Sequence, residues 1–581
     1  MIGRLLLACL VGLLAACRTH PSGLPLRRPT PQGSAVVSEH PLATQVGLEV
    51  LQRGGNAADA AVATALALAV VLPRAGNLGG GGFALWADHE GAAEFLDFRE
   101  TAPRAAKPEL YLDASGAFVP ERGNRGPSAV GVPGSPAGLY LLWERRGSGR
   151  FSFEELAAPA VRLAREGFAV DEDLARDLAA SSTVDKLNAA AKAVWWPEGR
   201  APKAGEWIRQ ADLASTLERY ADQGPQGFYA GETRRLLQQE LARTPFYASE
   251  RGGVPPDGRA WLANEDLESY APALRAPLIG WYRGHQILTA PPPSAGGYVL
   301  LHTLGVLEGF PPPGPSPEAL YWHRFLEAVR TAYAERALHF GDPRDTVVPL
   351  TELLAPARIA QRRLEIGSRA QPAVTATEWT EGDQTTHVCV LDSDGAAVSL
   401  TTTLNTSFGS GLLVAGAGFF LNDELDDFAL RAGAPNTYGL TGSRANAIAP
   451  GRRPVSSMTP TIVRDGGHSN MLVLGAPGGP RIPVAVTQVL LRVLECGQTA
   501  SDAVAAPRLH QQHAPTYSLY ERGFDAQVLE QLRGAYGHEL QEAKSYLALT
   551  GVIHVPTPGA RPQAAHDPRR VGAALVTGSV E

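Results

Sequence analysis

Apolar residues recur with helical spacing in the first part of the chain. Residues 41–52 carry one apolar face and are followed by Gly54-Gly55, which predicts a helix that ends there. Residues 57–72 are apolar on nearly all sides, which predicts a buried helix with Asn56 as its N-cap. This segment includes Asp59 and is shorter than the about 20 residues that a membrane span requires. It is therefore expected to pack inside the protein.

The later pattern changes from helical to alternating. Further helices are predicted at residues 153–166, 213–221, 233–242, 317–340 and 484–493. For the longest of these, Ser316 is the expected N-cap and Pro317 the first helical residue. Residues 385–422 alternate apolar and polar positions and are rich in Thr, Val and Gly, which predicts paired strands, with another strand at 471–474. Without a regular βαβ rhythm, these elements predict a layered α+β fold.

Composition and charge exclude several classes of protein. The 581 residues are 44% hydrophobic and 19% charged, and 62 Gly and 46 Pro stay below the about 25–30% that marks low complexity. Wholly disordered, collagen-like and coiled-coil chains are thereby excluded. With 52 Lys and Arg against 59 Asp and Glu, the net charge of −7 argues against a nucleic-acid-binding protein. Length alone predicts about four domains.

The N-terminus has the pattern of an export signal. Arg4 supplies a positive charge, Leu5 to Leu14 an apolar stretch, and Ala15-Ala16 the small residues before a cleavage site. Because Cys17 follows directly, we expect residues 1–16 to be a lipoprotein signal peptide; an ordinary signal followed by a chance cysteine is the alternative. Residues 17–34 are predicted to be a Pro-rich tether. The expected location is the periplasm or cell surface, with attachment to the membrane only through lipidated Cys17.

Common catalytic and metal-binding motifs are absent from the sequence. Besides Cys17, the cysteines are Cys9, Cys389 and Cys496, which do not form a disulfide framework. There is no G-x-S-x-G, P-loop, C-x-x-C or H-E-x-x-H. The spacing of His510 and His513 permits metal binding, although ordinary polar surface is the favoured interpretation. The run from Gly79 to Gly82 indicates a tight turn or close backbone packing.

A set of ordered segments resembles the γ-glutamyltransferase (γ-glutamyltranspeptidase) family from about residue 35 to the C-terminus. The N-terminal half contributes Gly54 to Ala61, Gly76 to Phe83, Asp97-Phe98-Arg99-Glu100, Gly131 to Gly134, Ala334-Glu335-Arg336 and Gly341-Asp342-Pro343. The C-terminal half contributes Gln384-Thr385-Thr386-His387, Thr401 to Gly409, Leu421 to Phe428, Arg453 to Met458 and Gly475 to Gly479.

The resemblance implies an N-terminal-nucleophile hydrolase with a four-layer αββα fold. Such a precursor cuts itself before a Thr, here between Gln384 and Thr385. Residues 35–384 then form a large subunit and 385–581 a small subunit, interwoven in one domain instead of the four suggested by length. The physics is suitable, because a hydroxyl needs a base and the freed α-amine, with a reference pKa of about 7.7–8.0, supplies one.

The resemblance also assigns residues to the substrate and to the transition state. Arg99 matches the arginine that binds the donor α-carboxylate, and Gly478 and Gly479 match the oxyanion hole. Thr403 matches the residue that hydrogen-bonds the nucleophile, and Tyr438 the closing residue of a lid at 436–440. The remaining matches are Ser456 and Ser457 at the carboxylate, and Asn405, Glu424 and Asp427 around the α-ammonium.

Each of these residues also has an ordinary structural explanation. On local sequence alone, Arg99 would pair with its acidic neighbours, and the Ser456-Ser457 and Gly478-Gly479 pairs would form turns. Their occurrence together and in family order favours the functional interpretation.

The implied activity is transfer of a γ-glutamyl group from glutathione or related donors. The acceptor is water, an amino acid or a dipeptide, and no cofactor or metal is implied. One alternative is a related acylase of the cephalosporin acylase type, against which Glu424 and Asp427 argue because a glutaryl group has no α-ammonium. An inactive surface-binding lipoprotein is the second alternative, and the intact Thr385 argues against it.

Overall fold

The computed structural model describes residues 30–246, 260–371, 385–466 and 469–578. The predicted signal peptide at residues 1–16, the predicted lipidation site Cys17 and the predicted cleavage residue Gln384 lie outside these residues, and the predicted tether at 17–34 is described only from residue 30. The strands, in chain order, are β1 Ala35–Ser38, β2 Gly81–Ala87, β3 Ala93–Phe98, β4 Phe168–Ala169, β5 Trp207–Ile208, β6 Ala273–Arg275, β7 Leu278–Tyr282, β8 His285–Thr289, β9 Thr385–Leu391, β10 Ala397–Thr403, β11 Thr461–Arg464, β12 Asn470–Gly475, β13 Leu509–His510, β14 Ser518–Tyr520, β15 Leu540–Glu542, β16 Gly551–His554, β17 Gln563–His566 and β18 Ala573–Val576.

Helices connect and cover these strands. They are α1 Pro41–Gln52, α2 Ala57–Val71, α3 Glu121–Asn124, α4 Ser135–Arg146, α5 Phe153–Glu166, α6 Glu172–Ala179, α7 Ser181–Lys186, α8 Ala189–Trp195, α9 Ala211–Gln223, α10 Gln226–Tyr229, α11 Gly231–Arg243, α12 Asn264–Glu268, α13 Gly296–Glu308, α14 Ala319–His339, α15 Leu350–Leu353, α16 Pro356–Leu364, α17 Ile482–Leu494, α18 Ala500–Ala505 and α19 Ala526–Gly534. Short 3-10 helices lie at Pro108–Tyr111, Pro127–Ala129, Glu424–Asp427, Arg444–Asn446 and Gly479–Arg481. None of the described helices is long and apolar enough to span a membrane.

Two large sheets form the centre of the molecule. The first has the strand order β18-β1-β9-β10-β2-β3-β6 and the second β17-β16-β12-β11-β8-β7, with antiparallel neighbours throughout. Both sheets combine strands from before and after residue 385. The mixed α+β class is therefore confirmed in the described chain.

Alternation along the strands creates two apolar cores. In β9, Val388 and Val390 face the helices that cover the first sheet, among them α1, α2 and α5. Cys389 and Leu391 point the other way, into the space between the sheets, whose far side is covered by α13, α14 and α17. This alternation is what period-2 side chains produce in a strand buried on both faces. The layer order is helix, sheet, sheet, helix.

Most predicted helices are confirmed, with informative differences at their ends. α1 and α5 have the predicted bounds, and Asn56 caps α2 in a capping box that includes Asp59. The prediction that Ser316 and Pro317 begin the longest helix is wrong, because α14 begins at Ala319 with Glu318 as N-cap. The proline-rich run before it favours extended backbone, which delays the helix.

The strand prediction for 385–422 is confirmed only in its first half. The hairpin of β9 and β10 ends with β10 at Thr403, and residues 404–422 form turns and isolated bridges. Glycines with positive φ at 409, 411, 416 and 418 turn this segment repeatedly. The run Gly79–Gly82 is a place of close packing, since a Cβ on Gly80 would lie 2.0 Å from the Thr403 carbonyl oxygen.

Candidate active site

Thr385 is the first residue of β9 and lies directly opposite Thr403, the last residue of β10. The hairpin register thus places the two hydroxyls side by side, with 3.3 Å between the Oγ1 atoms. Thr403 Oγ1 also accepts a hydrogen bond of 2.9 Å from the Asn405 backbone N–H. Both threonines are about 3% exposed, so the predicted nucleophile is held in a nearly dry environment.

The strand order brings Arg99 to the same edge of the sheet. β9, β10, β2 and β3 are neighbours and antiparallel, so the start of β9 and the end of β3 lie at one edge. Arg99 follows β3 directly, and its backbone is fixed by a 3.0 Å bond from its N–H to Asp97 and a 3.0 Å bond from Tyr270 to its carbonyl. Its side chain is thereby directed toward the end of β9 on which Thr385 lies.

The Arg99 guanidinium is paired with the two predicted ammonium ligands. Its Nη1 contacts Glu424 Oε1, and its Nη2 lies 2.6 Å from Asp427 Oδ2. Its sequence neighbour Glu100 is more distant, at 3.9 Å. The local expectation of pairing within Asp-Phe-Arg-Glu is thus wrong for the strongest contacts, which come from 325 and 328 residues away along the chain.

All of the predicted catalytic and substrate-binding residues except Gly478 line one small cavity. It has a volume of about 20 Å³, little more than one water molecule needs, so an amino-acid-sized ligand requires the lining to move. Its lining consists of Arg99, Thr385, Thr403, Asn405, Glu424, Asp427, Tyr438, Leu440, Ser456, Ser457, Met458, Gly479, Pro480 and Ile482.

Gly478 and Gly479 form a turn between β12 and α17 that requires glycine. Their φ angles are +136° and +55°, and a Cβ on Gly479 would lie 3.2 Å from the Tyr438 ring. Within the described part of the chain, neither backbone N–H donates to a protein acceptor. Gly479 lines the cavity, and Gly478 is the residue that precedes it in the sequence. The turn predicted as the structural alternative is present, and its geometry leaves the donors needed by an oxyanion hole.

Tyr438 closes the cavity from the lid side. Its hydroxyl donates a 2.6 Å bond to the Asn405 carbonyl, and its own carbonyl accepts a 3.0 Å bond from Gln512. The lid also contacts the charged residues, because Asn436 Nδ2 donates to Asp427 Oδ1 at 2.8 Å. Lid position and ion pairing at Arg99 are therefore linked physically.

Comparison with known proteins assigns this arrangement to a family. The family description Gamma-glutamyltranspeptidase matches residues 43–577. The chain belongs to the gamma-glutamyltranspeptidase family. The glutathione hydrolase proenzyme of Escherichia coli (strain K12) is 38% identical over 547 residues, which cover 92% of this chain and 90% of that protein.

Two solved structures of other proteins are similar in fold to this gamma-glutamyltranspeptidase chain. Cephalosporin acylase from Bacillus halodurans matches with a TM-score of 0.80 and 26% identity, over 96% of this chain and 98% of that one. Helicobacter pylori gamma-glutamyltranspeptidase matches with a TM-score of 0.51 and 34% identity, over 58% of this chain and 92% of that one. Because the acylase structure matches more of this chain, similarity of fold alone does not identify the donor, and the residues of the site must be used to do so.

Burial controls the charge states in this gamma-glutamyltranspeptidase site. Burial raises the pKa of Glu424 well above its usual range, although Arg99 acts in the opposite direction. Burial also raises the pKa of Glu100 and of Asp426 to about 7. For Arg99, burial opposes the charge, but Glu424 and Asp427 outweigh it and raise the pKa. Arg99 therefore keeps its charge, whereas burial favours the neutral form of Glu424, Glu100 and Asp426, an effect that Arg99 opposes at Glu424 and Glu100.

Sequence reasoning missed four residues that hold the site together. They are Lys186 and Asp423, which contact the turn after Thr403, and Asn436 and Gln512, which contact the lid and Tyr438. Asn436 lies inside the predicted lid segment, and Asp423 precedes Glu424 directly, so their positions offered a signal. Lys186 and Gln512 come from remote segments, and local sequence gives no indication of these contacts.

The favoured interpretation of His510 and His513 as ordinary polar surface is wrong for His510, whose side chain is buried. His510 Nε2 lies 2.9 Å from Gln512 Oε1, and burial lowers the pKa of His510 to about 3. In the described ranges, no group of three His, Cys, Asp or Glu side chains could hold a metal ion. Between the two histidines, Gln512 supports the Tyr438 carbonyl.

Proposed function

We propose that the protein is a glutathione hydrolase proenzyme that cuts itself between Gln384 and Thr385 and then transfers γ-glutamyl groups through Thr385. The Thr385–Thr403 hydroxyl pair carries this proposal, because it lies in one cavity with Arg99, Glu424 and Asp427. The name of the Escherichia coli relative supports both the glutathione donor and the precursor. The two subunits, residues 35–384 and 385–581, would share both sheets in one N-terminal-nucleophile hydrolase fold.

The proposed cleavage creates its own base. In the precursor the Thr385 hydroxyl attacks the Gln384 carbonyl, and an N→O acyl shift followed by hydrolysis frees the Thr385 α-amine. In the mature enzyme this amine takes the hydroxyl proton while Oγ1 attacks the donor γ-carbonyl. The Gly478 and Gly479 N–H groups stabilise the oxyanion, and such a donor is typically worth about 2.7–4 kcal/mol.

The second half of the reaction regenerates the enzyme. The C–N bond of the γ-amide breaks, and the leaving amine receives the proton held by the Thr385 ammonium. Water, an amino acid or a dipeptide then attacks the glutamyl ester and gives its proton to the same amine. As the ester C–O bond breaks, that proton passes to Thr385 Oγ1, which restores the hydroxyl and the free amine. One acyl-enzyme therefore serves both hydrolysis and transfer.

Donor recognition is proposed to exchange internal ion pairs for substrate ion pairs. The donor α-carboxylate takes Arg99, assisted by Ser456 and Ser457, while its α-ammonium takes Glu424, Asp427 and Asn405. Because both signs are exchanged together, no buried charge is left without a partner. A zwitterionic glutamyl end satisfies this requirement.

Thr385→Ala tests the proposal directly. The expected result is a single uncut chain that does not release the chromogenic amine from a γ-glutamyl anilide, whereas the wild type is cut and active. Thr386→Ala is the matched control and is expected to remain cut. Normal amine release by Thr385→Ala would refute the nucleophile.

An acylase for glutaryl groups is the second candidate, because the cephalosporin acylase match covers nearly the whole chain. Glu424 and Asp427 argue against it, since a glutaryl donor would take Arg99 and leave two carboxylates without a cation. Paired assays with γ-glutamyl and glutaryl anilides decide between them. We expect a strong preference for the γ-glutamyl compound, and equal or reversed rates would favour the acylase.

A lipid anchor on Cys17 is proposed to hold the enzyme at the periplasmic or outer surface of a membrane. Pro31 lies near Gly395, in the turn after β9, whereas Thr385 starts that strand. β9 has seven residues, so at about 3.3 Å per residue its two ends are about 20 Å apart. Thr385 thus lies at the opposite end of β9 from the turn that Pro31 approaches. Radiolabelled fatty acid would be incorporated by the wild type and not by Cys17→Ser.

A further inference from the structure

The turn that carries Asn405 has an unfavourable backbone. Asn405 has a φ of +75° and Phe408 a φ of +61°, a left-handed conformation that non-glycine residues adopt only when their surroundings hold them there. This turn positions the Asn405 side chain, its carbonyl receives the Tyr438 hydroxyl, and its N–H supports Thr403. Whatever fixes the turn therefore also fixes the wall of the donor pocket.

Asp423 is the residue that fixes it. Its carboxylate accepts a 2.9 Å bond from the Thr406 N–H and a bond from the Thr406 hydroxyl. Its backbone N–H donates to the Leu404 carbonyl at 3.0 Å, and its carbonyl accepts a 2.9 Å bond from Asn405 Nδ2. Asp423 also precedes Glu424 in the chain, so one residue ties the Asn405 turn to the carboxylate that faces Arg99.

Lys186 supplies the cation that this buried carboxylate needs. The Asp423 side chain is fully buried, and the Lys186 side chain is 14% exposed, with 3.5 Å between Nζ and Oδ2. Nζ also donates to Thr406 Oγ1 at 2.5 Å and to the Ser407 carbonyl at 3.3 Å. A buried carboxylate deprived of its partner is strongly destabilising. Lys186 therefore stabilises the anion and the turn together.

We propose that Lys186 and Asp423 are positioning residues for the γ-glutamyl donor. Lys186 ends α7, before the proposed cut, and Asp423 lies after it, so the pair joins the two proposed subunits beside the pocket. They do not touch the reacting atoms. They act by holding Asn405 and Glu424 at the distance from Thr385 that the donor requires. The inference rests on the proposed function.

Steady-state kinetics with a γ-glutamyl anilide test the pair. Lys186→Met is expected to raise KM by about fivefold or more, as loss of a charge-assisted hydrogen bond predicts, with a smaller change in kcat. Lys186→Arg is expected to keep KM within about twofold, because the cation remains. Lys192→Met on the next helix, α8, is the control and should leave KM unchanged.

A double variant separates positioning from general damage. Asp423→Asn leaves Lys186 without its anion and should also raise KM, whereas Lys186→Met with Asp423→Asn removes both charges and should lie closer to the wild type than either single variant. A wild-type KM in Lys186→Met, or additive losses in the double variant, would overturn the inference. If Lys186→Met alone does not fold, addition of Asp423→Asn to it should restore cut, folded enzyme. Failure of the double variant to fold would then overturn the inference. An inactive wild type would instead refute the proposed function.

Discussion

In the cavity, Arg99 meets Glu424 and Asp427 with its two terminal nitrogens, an arrangement that a planar guanidinium makes possible. A lysine carries the same charge on one nitrogen and cannot hold two partners in this fork geometry. The same geometry suits the two oxygens of a donor carboxylate. The fork geometry of Arg99 therefore matches the α-carboxylate of the proposed donor.

Arg99→Lys is expected to lower kcat/KM for a γ-glutamyl anilide by about 10–100-fold, the loss of one charge-assisted hydrogen bond at 1.5–3 kcal/mol. The cut before Thr385 should persist. Arg145→Lys, at a partly exposed pair with Glu94, is the control and should have little effect. A kcat/KM for Arg99→Lys within threefold of the wild type would contradict the assignment.

Asp426 gives a residue-scale prediction for pH. It accepts bonds of 3.0 and 3.3 Å from the lid residue Thr437, while burial raises its pKa from 3.8 to about 7. A raised folded-state pKa means that stability is present below pH 3.8 and is lost as pH rises through 7. Asp426→Asn does not titrate, so its melting temperature relative to the wild type should rise between pH 4 and 8.

Thermal unfolding of both proteins at several pH values measures this difference in melting temperature. Subtraction at each pH removes the contribution of the titratable groups that the two proteins share. Gln239→Ala, on the exposed face of α11, removes no titratable group and serves as control; its melting-temperature difference from the wild type should not change with pH. A difference that is independent of pH for Asp426→Asn would contradict the raised pKa.

Among the elements, the lid at 436–440 depends on a contact from far away in the chain. Gln512 donates to the Tyr438 carbonyl, and His510 supports Gln512. Because the cavity is too small for a donor, its lining has to move for a donor to enter, and opening of the predicted lid would supply the space. Removal of one neutral hydrogen bond, worth about 0.5–1.5 kcal/mol, should raise the open population by about 2–10-fold.

Gln512→Met tests the lid contact because it keeps the side-chain size and removes the donor. Limited trypsin digestion after the exposed Arg431 should become about 2–10-fold faster, with Gln541→Met on exposed β15 as the matched control. An unchanged digestion rate would show that Gln512 does not hold the lid.

Local pattern predicted the elements well where one strong signal dominates. α1, α5 and the hairpin of β9 and β10 follow from apolar periodicity, and Asn56 from capping chemistry. The irregular segment 404–422 defeated the pattern, because its conformation depends on glycine turns and on contacts with distant residues. Its charged anchors were missed for the same reason.

Across the whole molecule, the site exists because the two sheets interleave strands from both parts of the chain. The ion pairs of Arg99 join residues more than 300 positions apart, a proximity that no local pattern can predict. The family resemblance found these residues, since it compares their order and not their contacts. What it could not predict is that Arg99, Glu424 and Asp427 satisfy one another.

The same interleaving would hold the two proposed subunits together after a cut. In the first sheet, β9 and β10 lie between β1 and β2, and in the second, β8 pairs with β11. Separation of the proposed subunits would therefore break backbone ladders in both sheets and expose both apolar cores. We expect the two chains to remain associated until the enzyme unfolds.

Intact-mass measurement of the purified, active enzyme tests the central claim most directly. The account predicts two chains, the smaller of which begins at Thr385, with both present in equal amounts. Full γ-glutamyl anilide activity in a single uncut chain, or a smaller chain that begins at another residue, would contradict it.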